Sequence, residues 1–289
     1  MKLGIVTDIH HGRVTFTKQG PHALSLLADS LKSFANARVD AVVDLGDRIS
    51  DVDTATDLAL ERDVGEVFEK AGLARHHVCG NHDRAHLTAA ENADALAAAI
   101  GSRTVEIGGI RLVFWEPDVK LTRHKRFELV AGDLAWLEQT LAQSTQRTIL
   151  FSHAPLSGHS MVGNYWFENS PDFATYREID AIRAVLAKSP CPILALAGHV
   201  HWNTTAEVDG IRHLTLQSLS DSVFSHPEPS RACALLTIEG DRVDWNVSGT
   251  APLDLSFRFP ETKPERLPNL PPFSELKGDL FAVAEGAAD

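Results

Sequence analysis

Five short, mostly aliphatic runs in the first 200 residues each end on a polar cluster, and this repetition limits what the chain can become more than any other feature. The runs are Leu3–Thr7, Ala41–Leu45, His77–Cys79, Thr148–Phe151 and Ile193–Ala197. The clusters that follow them are Asp8-Ile9-His10, Gly46-Asp47, Gly80-Asn81-His82-Asp83, Ser152-His153 and Gly198-His199-Val200-His201. Runs of this length, bounded by turn residues, have the texture of strands covered on both faces. Between them, helical spacing covers Pro21–Ala37, Thr54–Ala71, Thr88–Ile100, Asp133–Gln143 and Asp172–Ala187, with Asp133 and Asp172 placed as N-caps. Strands alternating with helices imply βαβ units and largely parallel pairing. In such a sheet, groups just beyond the carboxyl ends of the strands meet in one crevice, so five separate segments deliver polar side chains to one place.

Hairpins follow the same chain. Thr104–Ile107 and Ile110–Trp115 flank Gly108-Gly109, Thr204–Val208 and Ile211–Gln217 flank Asp209-Gly210, and Ala232–Glu239 and Arg242–Val247 flank Gly240-Asp241. Each centre is a two-residue turn of the kind that closes antiparallel pairs. The expected class is therefore α/β: a parallel core extended by antiparallel strands, giving two packed sheets with helices outside. This domain spans 1–250. From 251 to 289, Pro252, Pro260, Pro264, Pro268, Pro271 and Pro272 argue against a regular element, so that stretch is expected to lie as a tail over the surface or over a partner subunit.

The polar clusters supply Asp8, His10, Asp47, Asn81, His153, His199 and His201. Imidazoles, carboxylates and an amide suit iron, manganese or zinc, with manganese or iron preferred, better than a soft metal. Seven donors are too many for one tetrahedral ion, and they suit two ions sharing a bridging carboxylate. If the chain stays extended, Asp-x-His and His-x-His each place both side chains on one side. Taken singly, each residue has a plainer use as a turn former, helix cap or hydrogen-bonded histidine. That plainer use would have to recur five times, always at the same end of a core strand.

Bulk properties bound the alternatives. The formal charge of −12 disfavours a general nucleic-acid polymer as partner, while bound cations would still admit a small anionic substrate. Cys79, Cys191 and Cys233 are too scattered for a disulfide framework or a zinc knuckle. Residues 1–7 read as a single strand-like run without a cleavage site, and no segment reaches membrane-helix length, so a cytoplasmic protein is expected, with no membrane partner.

In order, D-x-H, G-D, G-N-H-D, a later H and G-H-x-H resemble the calcineurin-like metallophosphoesterase superfamily over residues 1–201. The resemblance implies a four-layer αββα sandwich of two mixed sheets. It implies that Asp8, His10, Asp47 and His201 hold one ion and Asp47, Asn81, His153 and His199 the other, with Asp47 as the bridge. It further implies a hydrolase in which a water shared by the ions attacks phosphorus in line, with His82 donating a proton to the phosphoryl or leaving oxygen. Imidazole titrates near neutral pH and suits that work. Two departures stand out. Ser50 occupies the position where relatives often carry an Asp that orients the histidine, with Asp51 and Asp53 close by. Ser-His-Ala-Pro replaces the usual His-His-Pro around His153.

The protein-phosphatase signatures and the capping region of repair nucleases are missing, which leaves a likeness to single-domain bacterial phosphodiesterases of cyclic nucleotides or glycerophosphodiesters. A phosphomonoesterase or nucleotide pyrophosphatase on the same scaffold is the alternative, and a non-catalytic metal-holding interaction domain is a third reading. Leu156–Tyr176, with His159, Tyr165, Trp166, Phe167 and Tyr176, is the candidate substrate wall, where aromatics stack on a base or pack on the core. His11 and Arg48 sit beside ligands, within reach of a phosphate. The basic run Lys120, Arg123, His124, Lys125 and Arg126 steers an anion or forms a solvated face. The proline-rich tail is a candidate homodimer arm.

Overall fold

The computed structural model describes residues 1–121 and 125–263. Its chain order begins β1 (Lys2–Val6), a small ribbon of β2 (Val14–Thr15) and β3 (Lys18–Gln19), α1 (Ala23–Ala37) and β4 (Ala41–Asp44). It continues through α2 (Thr54–Ala71), β5 (Arg75–His77), α3 (Ala89–Leu96), β6 (Arg103–Ile107), β7 (Ile110–Phe114) and α4 (Asp133–Ala142). Then come β8 (Thr148–Phe151), α5 (Ile179–Lys188), β9 (Ile193–Ala197), β10 (Thr204–Val208) and β11 (Ile211–Thr215). The last strands are β12 (Cys233–Glu239), β13 (Arg242–Ser248) and β14 (Leu253–Arg258).

Two six-stranded sheets result, in the orders β14-β13-β12-β1-β4-β5 and β10-β11-β9-β8-β7-β6. β1, β4 and β5 run parallel, as do β7, β8, β9 and β11, while the hairpin strands pair antiparallel. The sheets are thus mixed, and every strand that delivers a polar cluster lies in a parallel stretch. β4, β8 and β9 are buried along their whole length, which is why they read as unbroken aliphatic runs.

The four layers follow from where apolar side chains go. Leu3, Ile5, Val43, Phe114, Phe151, Leu196, Leu236 and Trp245 meet in a core between the sheets. Leu27, Leu31, Phe34, Val64 and Phe68 of α1 and α2 cover Val6 and Val42 on one outer face. Leu137, Leu141, Ile182 and Leu186 of α4 and α5 cover Val113, Leu150 and Ile193 on the other. Each such side chain contributes about 1.5–3 kcal/mol on burial. Gly4 lets α1 sit close, since a Cβ there would lie 2.4 Å from the Phe34 ring. Among the described residues, no helix is long and apolar enough to cross a membrane.

The hairpin turns are as their residues require. Gly108 and Gly109, and Asp209 and Gly210, all take positive φ, as a two-residue turn matched to strand twist demands. Several helix starts differ from expectation. Asp133 is the first residue of α4 after Gly132, and its carboxylate accepts from the Val130 N–H instead of capping the helix. Asp172 lies in a separate 3-10 turn, Pro171–Phe173, paired with Arg126 at 2.7 Å, and α5 begins only at Ile179. Ala97, in the left-handed region at φ 47°, ends α3 before Ile100.

The region after residue 250 also corrects the expectation of no regular element. Leu253–Arg258 pairs antiparallel with β13 as an edge strand. Pro252 and Pro260 flank that strand without interrupting it, and proline is tolerated at strand ends because no ladder N–H is needed there. The rest of the proline-rich tail, 264–289, lies outside the described residues, as do Arg123 and His124 of the basic run. Of that run, Lys125 is 3.9 Å from Asp118 and Arg126 is held by Asp172, so both charges have carboxylate neighbours.

Candidate metal centre

The loops after β1, β4, β5, β8 and β9 are stitched together by backbone hydrogen bonds. Asp8 N–H donates to Gly46 O (2.8 Å), His10 N–H to Asp47 O (3.0 Å) and Gly198 N–H to His153 O (2.9 Å). His82 N–H donates to Asp47 Oδ1 at 2.8 Å, and His199 N–H to Asp8 Oδ2 at 2.9 Å. Gly80 permits this closeness, because a Cβ there would lie 2.1 Å from Asp47 Oδ1.

These loops are not extended. Asp8, His10, Asp47, His199 and His201 have φ of 50°, 49°, 56°, 66° and 50°, a left-handed region that costs a non-glycine residue on the order of 1 kcal/mol or more. The alternation that would place His199 and His201 on one side therefore fails. His201 joins Asp8 and His10, whereas His199 joins Asp47 and His153, with donors of each triad within 4.8 Å of one another.

All seven expected donors converge. His201 Nε2 is 3.1 Å from Asp8 Oδ1 and 3.0 Å from His10 Nε2. Asp47 Oδ2 lies between the triads, 4.0 Å from His10 Nε2 and 3.5 Å from His153 Nε2. Asn81 Oδ1 is 3.3 Å from His153 Nε2. Each histidine turns its other ring nitrogen to an acceptor. His10 Nδ1 faces Ile49 O (3.3 Å), His153 Nδ1 faces Leu45 O (2.8 Å), His199 Nε2 faces Phe173 O (2.9 Å) and His201 Nδ1 faces Asp221 Oδ2 (2.5 Å). This arrangement orients metal-binding imidazoles and frees one nitrogen of each for an ion. Asp8 Oδ1 is fully buried, and His201 Nε2, 3.1 Å away, is not aligned to donate to it, so a cation between them would satisfy both. The donor set fits two cations.

The electrostatics are those of a buried cluster with surplus negative charge. Burial opposes ionisation of Asp47, yet His153 and His82 hold its carboxyl well below the usual range. Burial would also lower His153, but Asp47 overrides it and raises the ring to about 9. Asp8 and Asp221 raise His201 to about 9 in the same way against burial. Burial, with Lys18, His82 and His201 nearby, pushes His10 well down, and burial with His153 pushes His199 to about 3.

His82 borders the site, its Nε2 3.9 Å from Asp47 Oδ2. Its Nδ1 makes a short hydrogen bond to Asp51 Oδ1, so Asp51 occupies the orienting role open at Ser50. Asp53 instead caps α2, accepting from Thr56 N–H at 2.9 Å.

Other expected contacts are redirected. Arg48 is fully buried and cannot reach a phosphate, since Glu61 (2.9 Å), Asp44 (2.9 Å) and Asp83 (3.2 Å) consume its guanidinium. Burial disfavours its charge, but these carboxylates raise its pKa far above normal. His11 turns to Asp63 on α2 at 3.3 Å, so its ring is engaged there. His159 bonds Ser157 and Thr204, and Tyr176 is buried in the outer core. Trp166 and Phe167 do adjoin the site, with ring centroids 5.8 Å from His201 and 4.9 Å from His199. Two residues not named as candidate site residues also matter here. Asp221 holds His201, and Asp83 accepts N–H groups from Asp47, Arg48 and Gly80, tying two donor loops together. Asp83 stands inside a recognisable motif, whereas Asp221 follows no spacing that could have marked it.

A family model described as calcineurin-like phosphoesterase matches residues 1–203. No curated protein matches the chain in sequence. Among solved structures, a dimetal phosphatase from Danio rerio is similar with a TM-score of 0.70 at 17% identity, over 89% of this chain and 98% of that one. A phosphopantetheinyl hydrolase from Mycobacterium tuberculosis gives a TM-score of 0.48 at 12% identity, over 78% and 93% of the two chains. A Vps29 from Entamoeba histolytica gives 0.45 at 15% identity, over 89% and 100%. With its ordered donor loops and a family match over more than two thirds of its length, the chain belongs to the calcineurin-like phosphoesterase family.

Proposed function

We propose that the chain is a metal-dependent phosphoesterase acting on a small phosphodiester, a cyclic nucleotide or glycerophosphodiester, at the strand-end cluster. Asp8, His10, Asp47 and His201 would hold one cation, and Asp47, Asn81, His153 and His199 the second. The observation that carries this reading is the placement of Asp47 Oδ2 between His10 and His153, where one carboxylate reaches both donor sets. Two cations bound there supply Lewis-acid polarisation of phosphoryl oxygens and lower the pKa of a shared water. His82, oriented by Asp51, would donate a proton to the departing oxygen. Trp166 and Phe167 would shield the site from bulk water and offer a face to a base.

Preference for a diester draws on charge. With Arg48 neutralised by its carboxylates, Lys18 beside His82 is left as a side-chain cation at the rim, and a single ammonium matches a diester better than the second negative charge of a monoester. The test is metal content together with hydrolysis of aryl diesters, aryl monoesters, cyclic nucleotides, nucleotide pyrophosphates and glycerophosphodiesters. Two ions per chain and a higher kcat/KM on diesters are expected. Higher kcat/KM on monoesters or pyrophosphates would transfer the reading to those substrates. Fewer than two ions with no turnover of any ester would sink it.

A further inference from the structure

Lys18 belongs to none of the motifs, yet its side chain is buried at the rim of the metal centre. It lies on β3, only 7% exposed. Its Nζ is 2.9 Å from His82 Nε2 and 5.3 Å from the centre of the Trp166 ring. With His82 Nδ1 engaged with Asp51, Nε2 is the nitrogen that faces the ammonium in the substrate-free site, and the one that would carry the proton for the departing oxygen once Lys18 turns to a substrate. An ammonium carries three donors, and although Asp47, Asp8, Asp221 and Asp51 favour the charge of this one against burial, none of them lies within ion-pair distance of it among the described residues. A buried cation with unused donors is costly unless an oxygen-rich anion completes its shell.

The ribbon is anchored firmly enough to hold that charge in place. Gln19 N–H donates to Ser220 O at 3.0 Å and Ser222 N–H to Thr17 O at 2.9 Å, and Lys18 bridges to Asp221 in the backbone. Asp221 accepts from Trp166 Nε1 at 2.8 Å and also engages His201. Ribbon, indole and ligand histidine are therefore in one fixed register.

We propose that Lys18 is a substrate-binding residue whose ammonium takes a non-bridging phosphoryl oxygen beside His82. The proposal rests on the phosphoesterase reading and adds to it a cation from outside the family motifs. Lys18 neutralises charge that the metal ions leave on the phosphoryl group, with the Trp166 ring facing its ammonium.

The test uses full-length, metal-replete protein, with metal content by mass spectrometry and inorganic phosphate binding by calorimetry. Lys18→Met should keep the wild-type ion count, weaken phosphate roughly 10–100-fold and reduce the salt dependence of binding. Lys18→Arg should restore most of the affinity, and KM for the best ester should follow the same order. Equal phosphate affinity in wild type and Lys18→Met overturns the proposal alone. Loss of ions in both Lys18→Met and Lys18→Gln makes Lys18 a scaffold residue and also overturns it. A wild type that holds two ions but binds no phosphate and cleaves no ester overturns the phosphoesterase reading with it.

Discussion

Asp47 stands between the two donor triads, so its loss and the loss of a peripheral donor should look different. Asp47→Ala should strip both ions together, whereas Asn81→Ala or His153→Ala should empty one site far more than the other. Metal counts per chain after dialysis at limiting metal decide this, and equal depletion in all three variants would contradict the division of ligands. Asp51 and Asp53 offer a second contrast. Asp51→Asn leaves His82 without its carboxylate and should lower kcat by about 10²-fold, with KM little changed. Asp53→Ala removes an N-cap and should lower the urea midpoint of unfolding while kcat is retained. If instead kcat followed Asp53, the pairing of His82 with Asp51 would not be the working one. Sequence alone left these two carboxylates equivalent, because both lie within three residues of Ser50 and only the folded loop selects between them.

At the scale of elements, the site depends on how closely the loops after β4 and β5 approach. Gly80→Ala would place a methyl group 2.1 Å from Asp47 Oδ1 and 2.4 Å from Asp47 N. The variant should fold, because the strain falls in a strand-end loop outside the core, but bind metal at least about tenfold more weakly. Near-native metal affinity would mean the loops can part without consequence. The bounds of α2, β8, β9 and β10 agree with those read from the sequence, since each has a sharp local signal: a cap with a C-terminal glycine, or an aliphatic run between turns. The start of α5 had no such signal. Glu178 precedes it without a side-chain cap, and Asp172 is drawn off to Arg126. Leu253–Arg258 was hidden by its flanking prolines, because its strand state depends on β13 as a neighbour.

The whole molecule sets the pH range of stability as well as the position of the site. His213, on β11, is 5% exposed, and its Nδ1 has no hydrogen-bond partner. Burial, with His159 and Arg183 close by, lowers its pKa to about 4. The unfolded chain therefore takes up this proton first as pH falls below about 6.5, and native stability declines between there and about pH 4. His213 should account for on the order of 2–3 kcal/mol of that loss. His213→Leu should flatten the decline in unfolding free energy between neutral pH and about pH 5, and an unchanged slope would place the acid sensitivity elsewhere.

The set of polar strand ends that the fold gathers was legible because it is local: a short aliphatic run followed at once by Asp, Asn or His marks a strand end, whatever the rest of the chain does. Asp8, His10, Asp47, Asn81, His153, His199 and His201 could be named on that ground, and the two packed sheets followed from alternation and two-residue turns. The partition of the donors needed the tertiary structure. Left-handed backbone at His199 and His201 sends neighbours in sequence to different triads. Arg48, adjacent to Asp47, is drawn away from any substrate by three buried carboxylates. Lys18 and Asp221 reach the site only because a ribbon and a distant loop hydrogen-bond across about two hundred residues of chain. Such choices depend on long-range contacts and on which buried charges find partners, and neither property is written in the spacing of residues.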